Sequence, residues 1–166
     1  MSKGKIFNVI FFMIVAYVVY LKSPSILTNF KFQDQKASDF TLRTLEQGSF
    51  NLSTNQKKLV VVFWATWCGP CEVELGRINK MIMERKIQPS DVLAISSYEE
   101  ESVIRQTAKS KNYLFPIGID RNGQVSSAYK VSATPTVVFL DQSNTIHWMT
   151  AGMSPTLEFR ISSFLK

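Results

Sequence analysis

The sequence predicts a mixed α/β domain behind an apolar N-terminal segment, and three observations carry that expectation. "LVVVFWA", Leu59 to Ala65, is a continuous apolar run rich in β-branched residues, as a central strand covered on both faces requires. Shorter runs of the same kind recur downstream, separated by stretches with helical spacing, the pattern of strand–helix–strand units. "TWCGPCEVEL" follows the first run directly and holds both cysteines of the chain at the start of a helix.

The appendage comes first. From Ile6 to Leu21, "IFNVIFFMIVAYVVYL", Asn8 is the one strongly polar residue, with Lys3 and Lys5 before the run and Lys22 after it. Sixteen helical residues rise roughly 24 Å, somewhat short of a ~30 Å hydrocarbon core, and snorkelling lysines cover the difference. The exit "AYVVYLKSPS" has bulky residues where a signal peptidase needs small ones, so an uncleaved anchor over residues 1–22 is expected. Positive charge before the span keeps the N-terminus in the cytoplasm and the domain outside it, where disulfides persist. Residues 23–38 show no sustained period and read as a linker, leaving 39–166 as the folded domain. The net charge is +6, about half of it from lysines flanking the span. No dense basic run supports nucleic-acid binding.

Within the domain, "FTLRTLEQGSFNLS" alternates around a glycine and predicts a hairpin. After the first central strand and the cysteine turn, a helix is expected to about Lys86. "DVLAISS" reads as the next strand, the acidic Glu99–Glu101 as a helix start, "ESVIRQTAKSKNY" as that helix and "FPIGID" as a short extended piece. "GQVSSAYKV" reads as a short helix, "TPTVVFLDQSNTIHWMT" as two strands around a turn, and Leu157 to Phe164 as an amphipathic terminal helix.

The cysteine pair decides the chemistry. A zinc site needs about four ligands, and the single histidine, His147, lies far along the chain. Haem attachment needs a His after the second Cys, where Glu72 stands. A bridge across two residues closes too small a loop to act as a staple. What remains is a dithiol that cycles with its own disulfide and needs no metal or other cofactor. Cys71, Leu75, Ile78 and Ile82 fall on one helical face, the core face. Cys68 sits one turn earlier, where free N–H groups and the helix dipole stabilise a thiolate. Cys68 is therefore expected to attack and Cys71 to resolve the mixed disulfide. Trp67, beside the pair, belongs to the contact surface, whereas Trp64 belongs to the core. The six methionines form no tight cluster and suit packing better than copper.

"WCGPC" after an apolar strand, together with "ASDFTLRTL", "FWATWCGPC" followed by Glu74, "FPIGID", "AYKVSATPT" and "VVFLD", resembles the TlpA and ResA type of membrane-anchored thioredoxin-like proteins, from about Ala37 to the end. The resemblance implies a thioredoxin fold, a central mixed sheet flanked by helices, with a βα insertion between Glu99 and Val131. It implies a cis peptide before Pro135, with Thr134 offering its backbone to an incoming peptide, and Gly69 and Pro70 on the same contact surface as Trp67. It also implies that Glu74, next to Leu75 and Ile78 on the helix surface, relays a proton for Cys71, while Glu72 stays solvated. Gly76 stands where such proteins often have proline.

The function expected is thiol:disulfide exchange by an enzyme tethered to the cytoplasmic membrane with its domain in the periplasm or otherwise outside the cytoplasm. The resemblance suggests exported substrates such as apocytochrome c or a metal-site maturation protein, and a membrane thiol donor of DsbD or CcdA type. The Gly-Pro pair favours reduction. An oxidase or isomerase, peroxidase chemistry, and a non-catalytic peptide-binding module are the rival readings.

Overall fold

The computed structural model describes residues 7–14, 16–17, 32–46 and 48–166. Residues 7–14 and 16–17 are helical and exposed. Among the described residues no helix is long and apolar enough to cross a membrane. The expected span Ile6–Leu21 falls partly outside the described residues, as does most of the expected linker.

The domain opens with an antiparallel hairpin, β1 (Thr41–Arg43) and β2 (Ser49–Asn51), where the alternating sequence predicts one. Then follow β3 (Leu59–Trp64), α1 (Gly69–Met83), β4 (Val92–Ser97), α2 (Glu101–Ser110), β5 (Ile117–Asp120), α3 (Gln124–Ala128), β6 (Thr136–Leu140), β7 (Ile146–Ala151) and α4 (Leu157–Leu165). Five strands form one sheet in the order β5-β4-β3-β6-β7. β3, β4 and β5 are parallel, whereas β6 runs antiparallel to β3 and β7 antiparallel to β6. The stretch expected to carry an extra βα piece forms α2, β5 and α3, and β5 is an edge strand.

Alternation along β3 builds two cores. Val60, Val62 and Trp64 point to the face covered by α1, α2 and α4, where they meet Leu75, Ile78, Ile104 and Ile161. Leu59, Val61 and Phe63 point to the other face, closed by Phe40 and Leu42 of the hairpin region and by Val125 and Tyr129. Residues just before the hairpin also join the domain: Asp34 N–H donates to Ile146 O at 2.8 Å, and Ile146 N–H donates to Gln35 O at 2.8 Å.

α1 positions the site, and its ends are well defined. Cys68 caps its start and Pro70 lies in its first turn, where a missing N–H costs nothing. At the other end Arg85 turns left-handed (φ 55°), and Lys86 N–H donates back to Met81 O at 2.9 Å, satisfying a terminal carbonyl. The expected core face is buried in full, Cys71, Leu75 and Ile78 at 0% exposure and Ile82 at 7%. Asn79 is buried as well, and its amide group ties α1 to the loop after α2 by donating to Asn112 O and accepting from Leu114 N–H.

Gly76 lies on the exposed side of α1, and a Cβ there would meet nothing within 4 Å. Gly76→Ala is therefore expected to raise stability by about 0.5–1 kcal/mol through helix propensity. Ile78→Ala, on the buried face of the same helix, is expected to lower it by about 2–5 kcal/mol. Urea unfolding of the two variants checks both signs, and an unchanged midpoint in either contradicts this account of α1.

Candidate active site

The chain leaves β3 at Trp64 and reaches α1 through a short turn. Cys68 N–H donates to Ala65 O at 3.1 Å, and Cys68 Sγ accepts from Cys71 N–H at 3.2 Å. The sulfur thus takes one of the N–H groups that a helix start leaves unpaired. Cys68 and Cys71 form a disulfide with an S–S distance of 2.04 Å. The two differ in access as their helix positions predict, Cys68 being 6% exposed and Cys71 0%. Gly69 and Pro70 between them are exposed.

Trp67 projects outward at 79% exposure, while Trp64 is buried edge-on against Tyr113, 5.9 Å between centroids. The turn that carries Trp67 is held from β4. The Glu99 carboxylate accepts from Thr66 N–H at 3.0 Å, from the Thr66 hydroxyl, and from Ser96 Oγ. The acidic run predicts Glu99 in a helix start, but α2 begins at Glu101 with Glu100 as its cap, and Glu99 turns back to the cysteine loop. Nothing in the local pattern separates these three glutamates.

The Thr134–Pro135 bond is cis. Pro135 is buried and its carbonyl accepts from Gly152 N–H at 2.7 Å. Among the described residues, no other backbone group engages the N–H or C=O of Thr134. Thr134 and Trp67 both line a 220 Å³ cavity, with Ala65 and Val131 among its walls.

Glu74 is where the structure departs most from the sequence reading. It is not on the helix surface but fully buried, because the loop after β7 closes over its side of α1. One carboxylate oxygen accepts from Ser154 N–H, and the other has no partner. Arg77, one turn on, donates to Ser154 O at 2.9 Å and Pro155 O at 3.0 Å and pairs with Glu158. Burial raises the Glu74 pKa above the ordinary carboxylate value, and the Ser154 N–H and the Arg77 charge offset part of that rise. Glu74 lies i+3 from Cys71 and i−4 from Ile78, on the same side of α1, but what covers its carboxyl comes from the far end of the chain. Glu72 is exposed and pairs with Lys111. His147 is exposed on β7 and stacks on Phe164. Among the described residues no three His, Cys, Asp or Glu side chains gather to hold a metal ion.

A buried cysteine joined to a less buried one at a helix start, beside an exposed tryptophan and a cis-proline loop, is an arrangement built for dithiol exchange. The model of the AhpC/TSA family matches residues 34–149. The thiol-disulfide oxidoreductase ResA of Geobacillus kaustophilus is 34% identical over 117 residues, covering 70% of this chain and 67% of that protein. ResA of Oceanobacillus iheyensis is 31% identical over 155 residues, 86% of this chain and 78% of that protein. A thiol:disulfide interchange protein DsbE from Chlorobium tepidum has a crystal structure that superposes with a TM-score of 0.72 at 26% identity, over 81% of this chain and 98% of that one. The chain therefore belongs to the AhpC/TSA family, with a thioredoxin-like fold, and is a thiol-disulfide oxidoreductase of the ResA and DsbE type.

Proposed function

We propose that this oxidoreductase is a membrane-tethered reductant of disulfides in exported proteins, acting outside the cytoplasm. The observation that carries the assignment of roles is the asymmetry of the pair: Cys68 caps α1 and keeps some exposure, whereas Cys71 has none. Cys68 as thiolate attacks a substrate sulfur, and Cys71 then attacks Cys68 Sγ and releases the reduced product. Trp67, Gly69, Pro70, Thr134 and Pro135 form the surface against which the substrate lies, with the Thr134 backbone pairing to an extended segment. The Gly-Pro pair between the cysteines supports the reducing direction over oxidation or isomerisation. Apocytochrome c or a metal-site maturation protein is the substrate class that the family resemblance supports, with a membrane thiol donor of DsbD or CcdA type restoring the dithiol. A Cys71→Ser variant is expected to accumulate mixed disulfides through Cys68 in cells, and a Cys68→Ser variant to accumulate none. The reduction potential is expected near −270 mV, and a value near −120 mV would instead mark an oxidant. A protein that holds the same partners after loss of both cysteines would be a binding module.

The tether is the apolar run Ile6–Leu21 with its flanking lysines. Full-length chain is expected to stay in the membrane fraction through alkaline carbonate extraction, and a chain lacking residues 1–22 to be released. Equal release of both forms removes the anchor from this reading.

Glu74 is one helical turn past Cys71 on the buried side of α1, placed to pass a proton to or from Cys71 as the mixed disulfide resolves. Its folded pKa lies above its unfolded value, so the folded state binds more protons between the two. Stability is then highest below the unfolded pKa and falls as pH rises through the folded one. Glu74→Gln is expected to lack this segment of the stability profile, to exchange more slowly, and to shift the thiol titration downward by removing a nearby negative charge. Glu72→Gln, at an exposed and paired position, is expected to change neither. Exchange rates, thiolate absorbance and urea midpoints measured between pH 4 and 9 check all three. Wild-type behaviour in Glu74→Gln returns that residue to a purely structural place.

A further inference from the structure

We propose that Tyr98 is a specificity residue, which with Trp67 and Thr134 forms a pocket for an apolar side chain next to the cysteine of a polypeptide substrate; this rests on the oxidoreductase reading above. Tyr98 follows β4 with φ 62°, in the left-handed region that a bulky side chain enters only at a steric cost. Glycine would make this turn without that cost. The ring gains little burial in return, since Tyr98 is 69% exposed. It is nevertheless seated. Tyr98 N–H donates to Asp120 O at 3.2 Å, and the hydroxyl lies 3.4 Å from Ser127 Oγ. The ring occupies the space above Gly123, where a Cβ would fall 1.8 Å from Tyr98 Cζ. An exposed aromatic held over a glycine, on a backbone that disfavours it, points to a use outside the domain's own stability.

The use we assign lies in the cavity that Tyr98 helps to line. Tyr98, Trp67 and Thr134 line the same 220 Å³ cavity, whose remaining walls include Phe63, Ala65 and Val131. The space admits one large side chain. Its walls are chain neighbours of the dithiol and the cis-proline: Trp67 precedes Cys68, and Thr134 precedes Pro135. A polypeptide disulfide must bring its sulfur to Cys68, and the unengaged backbone of Thr134 offers pairing to an extended segment. In such a segment alternate side chains point the same way, so a residue close to the substrate cysteine projects into the cavity. Two aromatic walls favour an aromatic or branched aliphatic occupant.

The test uses pre-reduced protein and two synthetic peptides that share one internal disulfide and differ only in Phe or Ser beside the cysteine. Cys68 thiolate attacks one peptide sulfur, and the other peptide sulfur leaves as a thiol. Cys71 thiolate then attacks Cys68 Sγ, releasing the second peptide thiol; the peptide gains two electrons and the protein becomes its disulfide. The wild-type protein is expected to half-saturate at roughly three- to tenfold lower concentration with the Phe peptide. Tyr98→Gly, which suits the backbone and so keeps the fold, is expected to bring that ratio to about one without a lower thermal midpoint, while Tyr98→Phe keeps it. A ratio that Tyr98→Gly leaves at its wild-type value, or a ratio of one in the wild type, overturns the pocket and leaves the oxidoreductase reading standing. Self-association that Tyr98→Gly abolishes would assign the cavity to a second copy and overturn it likewise. A wild-type protein inert to both peptides and to hydroxyethyl disulfide overturns the oxidoreductase reading and the pocket with it.

Discussion

Burial of β3 on both faces is the constraint on which the site depends. No residue from Leu59 to Trp64 is more than 3% exposed, so polar chemistry has room only beyond the strand's ends. Strand direction then decides what meets there. β4 is parallel to β3, and its carboxyl end delivers Tyr98 and Glu99 to the edge where β3 delivers Thr66 and Cys68. β6 is antiparallel, with Phe63 opposite Thr136, so its beginning brings Thr134 and Pro135 to that edge. β7 reverses again, with Thr136 opposite Ala151, and its end brings Gly152 to Ser154. Four loops converge because one mixed sheet order requires it, and the dithiol needs no further device to find its neighbours.

Within that edge the contacts form a chain from α1 to the cis-proline. Glu74 accepts from the Ser154 N–H and Arg77 donates to the Ser154 C=O, and Gly152 in the same loop donates to the Pro135 carbonyl. The helix that carries Cys71 is thereby joined to the loop that carries the cis-proline. The unpartnered oxygen of Glu74 is the weak point of this arrangement. A buried carboxylate with one hydrogen bond is costly when charged, and a proton on that oxygen removes the cost. The same burial that locks the loop therefore favours the protonated form of Glu74.

Much of the fold is legible in the sequence because it rests on local periodicity. The uninterrupted apolar run of β3, the spacing of Cys71, Leu75, Ile78 and Ile82, and the turn at Asp141–Asn144 between β6 and β7 each announce their element within a few residues. The cysteines declare their helix position and hence their unequal access. What the sequence withholds is contact between distant segments. The carboxyl of Glu74 has no visible partner until Ser154 covers it, nor has the amide of Asn79 until the loop at Asn112–Leu114 closes on it. Glu99 looks like one of three equivalent helix-start acids until Thr66 claims it. Tyr98 gives no sign at all, because a left-handed backbone and a glycine some twenty-five residues on have no shared local signature. Polar side chains whose partners lie far along the chain are the class that pattern reading loses.

Three carboxylates surround the start of α1, and their different treatment sets the electrostatics of Cys68 and Cys71. The helix start favours a thiolate by about 0.3–1 kcal/mol, a modest term that one unscreened negative charge nearby could cancel. Glu72 lies in the first turn but is exposed and paired with Lys111, so water and its partner blunt its effect. Glu99 spends its charge on the Thr66 N–H and on the hydroxyls of Thr66 and Ser96, which anchor the charge to the loop geometry. Glu74 alone is fully buried with an oxygen unengaged, where Coulomb terms are least screened. Its charge is therefore the least screened of the three. An ionised carboxylate and the helix dipole act on a nearby thiolate with opposite sign. Burial with an unengaged oxygen thus sets Glu74 apart from the exposed, paired Glu72 and the hydrogen-bonded Glu99, and disfavours its charged form.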